Sequence, residues 1–219
     1  MTQELKSEII IPENYGLIKT KLPNSVMDRL WEYERVAREK NVSHSNSLAG
    51  NIINSLLLND VDDWFYNNII LPQMELYAKT FPTYFKELNK IVKTDIYGFM
   101  HDIFSMLSLW INYQYKHEFN PVHHHGGQFS FVIWMKIPTN STEQHNLEFV
   151  KHSNSSCASD FHFYHTNILG ERMTSPIDMN PDMEGWMLFF PAKLQHQVYP
   201  FYISDDVRVS ISGNIGLNL

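Results

Sequence analysis

Cysteine is nearly absent from this chain of 219 residues: Cys157 stands alone. One thiol excludes an internal disulfide and a cysteine-built zinc site, and a reducing, cytoplasmic compartment is the default expectation. Positive charge is in short supply as well. Lys and Arg total 17 against 24 Asp and Glu, a formal net charge of −7. That balance argues against strong non-specific affinity for nucleic acid, because phosphate contacts need cationic side chains to displace counterions. Long apolar runs are missing: none approaches the ~20 residues that cross a bilayer. No apolar stretch follows a basic start, so neither a signal peptide nor a membrane span is predicted. Internal repeats and low-complexity tracts are also lacking.

What is present fits a folded domain, with 43% hydrophobic and 19% charged residues. The first third reads as helical. Ser25 and Asp28 have capping-box-like spacing and open a segment in which Val26, Leu30, Tyr33 and Ala37 fall on one face. Residues 61–92 place Trp64, Ile69, Leu76, Phe85, Leu88 and Val92 at helical spacing, with Pro72 and Pro82 marking breaks. From about residue 103 the period falls to two. Phe129, Phe131, Ile133, Met135 and Ile137 alternate with Ser130, Val132, Trp134 and Lys136, which predicts a strand. Asn146–Val150, Phe161–His165, Trp186–Phe190, Gln195–Tyr199 and Val207–Ile211 are further strand candidates, and the polar stretch 139–146 reads as a loop. Helices followed by many short strands predict an α+β chain, mainly β, with an antiparallel sandwich or barrel.

Eleven histidines are present. His101, His117, His145, His152, His162 and His165 are scattered and need no special role. His123, His124 and His125 end a predicted strand ahead of Gly126 and Gly127. In extended backbone, residues two apart share a side, so His123 and His125 can face one pocket while His124 points away. Two imidazoles on one rigid element would make half of a transition-metal site, although a histidine-rich surface turn explains the same tripeptide. Gly185–His196 reads as strand, turn and strand, with His196 opening the second strand. Beyond it, Arg208, Ser210, Ser212 and Asn214 alternate with Val207, Val209 and Ile211, so the last strand has one polar face. Turned inward, that face would bury Arg208, whose planar fork suits a carboxylate, with Ser210 adding a donor. A solvent-facing strand with an exposed Arg is the plain alternative.

The series His-x-His, a long gap, Phe-Pro-Ala-x-Leu-x-His and then Arg-x-Ser resembles the Fe(II)/2-oxoglutarate-dependent oxygenase superfamily. More narrowly, Trp110-x-Asn112, Asn120-Pro-Val-His-His-His-Gly-Gly-Gln-Phe-Ser-Phe-Val132 and Leu188-Phe-Phe-Pro-Ala-Lys-Leu-Gln-His-Gln-Val-Tyr-Pro200 look like the short 2-oxoglutarate oxygenases of phages and marine bacteria. The resemblance covers roughly residues 105–215. It implies a double-stranded β-helix (a cupin-like jelly roll) over 101–219, with residues 1–100 as a mainly helical extension packed on it. It further implies Fe(II) held by His123 and His196, and 2-oxoglutarate as co-substrate held by Arg208 with Ser210. Trp110, Asn112 and Gln128 would line the pocket, Asn112 near the co-substrate. The implied reaction couples decarboxylation of 2-oxoglutarate by O2 to oxidation of a C–H bond in a small molecule or a protein side chain.

One departure stands out. The superfamily's usual carboxylate ligand lies two positions after the first His, where this chain has His125. Either His125 completes a three-histidine site, or an acid elsewhere does, with Glu148 and Asp160 as candidates. Two other readings therefore stand beside the oxygenase: a three-His cupin-like metalloenzyme without 2-oxoglutarate, and a non-catalytic jelly-roll binding or assembly protein. A phage-encoded chain would work in the host-cell cytoplasm.

Overall fold

The computed structural model describes residues 7–10, 14–92 and 96–218. A short strand, β1 (Ile18–Lys21), leads into α1 (Asn24–Lys40). The 3.6-residue spacing of Val26, Leu30, Tyr33 and Ala37 becomes a buried stripe, as the periodicity predicts. Glu34 is buried with them, because its carboxylate accepts from Tyr113 Oη at 2.7 Å and from the Arg38 guanidinium. The capping box is not formed. Pro23 occupies the N-cap position with no side-chain bond, so Ser25 and Asp28 already lie inside the helix. At the other end Asn41 takes a left-handed conformation and donates its N–H to Ala37 O at 2.8 Å.

After β2 (Asn54–Leu57) the Asp60 carboxylate gathers the N–H groups of Phe65 and Tyr66 at 2.8 and 2.7 Å and starts the next helical stretch. A π-turn, Tyr66–Ile70, runs into α2 (Leu71–Thr80), with Pro72 in the first turn, where a missing N–H costs nothing. The extra residue of the π-turn rotates the helical face. Met74, Tyr77 and Ala78 therefore take the inward positions, and Leu76, read as core, is exposed. Two further helices follow, α3 (Pro82–Val92) and α4 (Ile96–Ile103). The side chain of Val92 lies outside the described residues.

The second half supplies β3 (Phe104–Gln114), β4 (Asn120–His123), β5 (Phe129–Lys136), α5 (Ser141–His145), β6 (Phe161–Thr166), β7 (Arg172–Ile177), β8 (Trp186–Pro191), β9 (Gln195–Val198) and β10 (Arg208–Leu217). They make two antiparallel sheets, ordered β1-β8-β5-β10-β3-β2 and β4-β9-β6-β7. Both faces of β5 are covered. Phe129, Phe131, Ile133 and Met135 meet Leu30, Phe65, Met74, Tyr77 and Phe85 of the helical layer. Val132 and Trp134 point the other way, against Phe161 and Phe163 of the smaller sheet. Hence the helical layer covers the outer face of the large sheet, and a second core lies between the sheets.

Two further local expectations fail. Asn146–Val150 is not a strand, and the polar stretch before it contains α5, begun by Asn140 Oδ1 accepting from Thr142 N at 2.9 Å. Asn140 acts here as a capping group rather than as a loop marker. The strand β7 was not expected because its residues are mostly exposed and carry no apolar alternation.

Candidate metal centre

Strands β4 and β9 pair so that His123 and His196 are direct partners in register. Beyond His123 the chain leaves the ladder, but His125 N donates to Ala192 O at 2.8 Å, which ties it to the turn between β8 and β9. Gly127 permits the turn that follows. It has φ +80, and a Cβ there would sit 2.4 Å from Ile215 O. The imidazoles of His123, His125 and His196 consequently converge, each offering a ring nitrogen, all within 4.8 Å of one another. His125 Nε2 and His196 Nε2 are 3.1 Å apart. His124 is exposed, as the two-residue period requires.

The nearby backbone sets the tautomers. His123 Nδ1 lies 2.7 Å from Pro121 O, and His196 Nδ1 lies 3.0 Å from Leu194 O. A carbonyl only accepts, so both Nδ1 atoms carry the proton and both Nε2 lone pairs face the centre. Burial holds the rings neutral. His196 is stacked on Phe161 at 5.4 Å and packed against Phe190, and desolvation, then the neighbouring histidines, put its pKa well below the ordinary value. Burial is likewise the main cause that lowers His125 to about 3 and lowers His123. Neutral imidazole is the form that ligates a transition metal, so the donor set fits one.

The acid candidates stand elsewhere. Glu148 is paired with Lys151 at 2.5 Å on the surface. Asp160 is buried but engaged, its two oxygens 2.9 Å from His145 Nε2 and 3.3 Å from His162 Nε2. Among the described residues the metal-competent group consists of the three histidines.

The same cavity, about 230 Å³, reaches along the polar face of β10 to Arg208, Ser210, Ser212 and Asn214. Arg208 is 2% exposed and lies over the Phe201 ring. Its guanidinium donates to Gln114 Oε1 at 3.2 Å, to Ser159 O at 2.9 Å and to Ser159 Oγ. Ser159 reaches it from a left-handed backbone, φ 77. Arg208 makes no ion pair among the described residues, and its Nε has no partner. Burial lowers its pKa to about 9, against which the charge of Asp160 works. Trp110 Nε1, Asn112 Oδ1 and Asn120 Oδ1 are also buried without partners around this cavity.

Trp110 and Asn112 line the cavity, and Gln128 is not among its lining residues. Gln128 is held by its backbone, its N donating to Ile215 O at 2.7 Å and its O accepting from Ala192 N at 2.9 Å, so it serves the turn instead. Sequence reasoning missed Gln114, Ser159 and Asn120. Asn120 stood inside the motif around His123, where it could have been singled out. Ser159 carried no signal, because its role depends on a turn conformation.

Among the described residues a metal-competent histidine group thus shares one cavity with a buried guanidinium, between two antiparallel sheets. Residues 108–214 match a family described as "Putative 2OG-Fe(II) oxygenase", and the resemblance to the Fe(II)/2-oxoglutarate-dependent oxygenase superfamily is shown. No curated protein matches the chain. A Pseudomonas putida prolyl-4-hydroxylase shares 12% identity, with 91% of each chain covered and a TM-score of 0.50. A non-heme alpha-ketoglutarate-dependent carbocyclase, SnoK from nogalamycin biosynthesis, shares 8% identity over 93% of this chain and 79% of that one, with a TM-score of 0.51. An oxidoreductase of the 2OG-Fe(II) oxygenase family from Burkholderia pseudomallei aligns at 16% identity and TM-score 0.34, and the match spans 52% of this chain and 44% of that one. At these identities the likeness concerns the fold.

Proposed function

We propose that this chain is an Fe(II)- and 2-oxoglutarate-dependent oxygenase of the hydroxylase type. On this reading the two sheets are a double-stranded β-helix, residues 101–219 are its catalytic core, and residues 1–100 are packed on that core. His123, His125 and His196 hold the ferrous ion, and Arg208, Ser210 and Asn112 hold 2-oxoglutarate.

The observation that carries the reading is the shared cavity. Three neutral imidazoles converge in it beside a buried guanidinium that has no ion-pair partner among the described residues. A buried charge without a counter-ion is costly, and one ligand with a metal-chelating end and a distal carboxylate satisfies both sites. Fe(II) with bound 2-oxoglutarate and O2 supplies the oxidation of a C–H bond, with succinate and CO2 as co-products. The chain's own part is positioning. Arg208 is fixed by Ser159 and Gln114 with its Nε–H left to a ligand, and the Ser210 hydroxyl adds a second donor. Pro121 O and Leu194 O keep Nε2 of His123 and His196 aimed at the metal. Val132, Trp134, Phe161 and Phe190 form the apolar wall that keeps water from it. The substrate is a small molecule or a protein side chain, and the working compartment is the cytoplasm.

A second reading rests on His125. It stands where the facial triad carries a carboxylate, so a three-His metalloenzyme that does without 2-oxoglutarate uses the same ligands. Succinate formation separates the two. Protein loaded anaerobically with Fe(II), then given 2-oxoglutarate and air, should form succinate well above the metal-free control, and His196→Ala should not. Absence of succinate, together with no 2-oxoglutarate binding at millimolar concentration, would favour the three-His reading.

A further inference from the structure

Residues 41–53, between α1 and β2, lie outside the stretch matched to the oxygenase family, yet they close one side of the cavity. The segment is tied down at both ends. Ser43 bridges to Leu56 in β2, and Asn51 N donates to Phe119 O at 2.9 Å, just ahead of β4. Gly50 makes the second tie possible: a Cβ there would meet Asn120 Oδ1 at 2.0 Å and Phe119 O at 2.3 Å. Along the segment His44, Leu48 and Ile52 face the same space as the metal-competent histidines. The His44 ring lies 5.0 Å from Trp110, and Trp110 lies 5.7 Å from His125, so the strap is one aromatic ring away from the metal centre.

Two buried polar atoms beside this strap have nothing to bond. Trp110, 3% exposed, leaves its Nε1 donor free, and Asn120, 9% exposed, leaves its Oδ1 acceptor free. An unmet donor and an unmet acceptor in one cavity cost about 1–3 kcal/mol each unless a ligand supplies the partners. Fixed charge is scarce there. Among the described residues that line the cavity, Arg208 is the only Lys, Arg, Asp or Glu. Under the oxygenase reading, on which this inference rests, Arg208 is occupied by the co-substrate. A charged substrate group would then be buried unpaired.

We propose that residues 44–52, with Trp110 and Asn120, form the substrate subsite, and that it admits an uncharged group carrying both a hydrogen-bond donor and an acceptor, a primary amide being the simplest. The amide N–H donates to Asn120 Oδ1, and the amide oxygen accepts from Trp110 Nε1.

Three probes matched in size separate the possibilities: isobutyramide, isobutyrate and isobutylamine, titrated by ligand-observed NMR into the full chain loaded with Mn(II) and 2-oxoglutarate. The amide should bind at least tenfold more tightly than either charged probe. Asn120→Asp keeps the size and supplies a carboxylate, so the order should turn in favour of isobutylamine. Gly50→Ala should weaken amide binding at least tenfold, and unchanged 2-oxoglutarate affinity with an unchanged circular dichroism spectrum would show that each variant is folded. A charged probe that binds the wild type as well as the amide does would overturn the proposal, as would an unaltered order in Asn120→Asp. Failure of the wild type to bind 2-oxoglutarate sinks the oxygenase reading instead; Arg208 is then free to pair with isobutyrate, so the order of amide over isobutylamine in the wild type and its reversal in Asn120→Asp decide the subsite.

Discussion

His123 and His196 face each other because β4 and β9 pair in a register that makes them partners, and His125 joins them because two residues return a side chain to the same side of extended backbone. The shared side of His123 and His125 was legible in the sequence, since strand periodicity aims them together, whereas His196 entered only through the resemblance to the oxygenase superfamily. The polar face of the last strand was equally readable from Arg208, Ser210, Ser212 and Asn214. What could not be read was the support around Arg208. Ser159 reaches the guanidinium only through a left-handed backbone, and Gln114 only because β3 lies beside β10. These are products of turn conformation and sheet order, which no local pattern encodes. The ligand set gives a sharp expectation at this scale. Ala at 123, 125 or 196 should abolish stoichiometric Mn(II) binding, measured by metal analysis after desalting, whereas His124→Ala should retain it. Loss of metal in His124→Ala with retention in His125→Ala would mean that the inward face is assigned one residue out of phase.

Among the elements, α1 was the most legible, because its apolar stripe is long and regular. Its start was not, since Pro23 pre-empted the polar residues that resemble a cap. Ser25→Ala should accordingly change stability by less than about 0.5 kcal/mol, as for an ordinary surface site. Leu30 is fully buried between α1 and the large sheet, and Leu30→Ala should cost about 2–5 kcal/mol in urea unfolding. A reversed order of these two effects would contradict the packing described. The π-turn before α2 was invisible for a different reason: one inserted residue shifts the face without leaving a compositional mark, which put Leu76 on the wrong side. Edge strands were missed as well. β1, β2 and β7 each have only part of their length covered, so alternation is weak. Gly127 shows the opposite situation, a backbone need that the sequence did announce. Gly127→Ala should destabilise by more than about 1 kcal/mol, because it meets both a positive φ and a carbonyl oxygen at 2.4 Å.

At the scale of the whole molecule, a mainly β chain with helices was readable from the change of period near residue 103. The sequence did not reveal that residues 18–21 and 54–57 extend the large sheet at both edges, or that residues 44–52 wall the cavity. Among the described residues no helix is long and apolar enough to cross a membrane. On the proposed function, Arg208 is the residue that would join the metal centre to the co-substrate. Removing one partner of a buried, hydrogen-bonded charge pair costs about 2–5 kcal/mol, or roughly 30-fold to several thousand-fold in affinity. Anaerobic calorimetry with Mn(II) should therefore show 2-oxoglutarate binding to the wild type and at least about 30-fold weaker binding to Arg208→Ala, with the metal retained in both proteins. Equal affinity in the two proteins, or no binding to either at millimolar 2-oxoglutarate, would contradict that role.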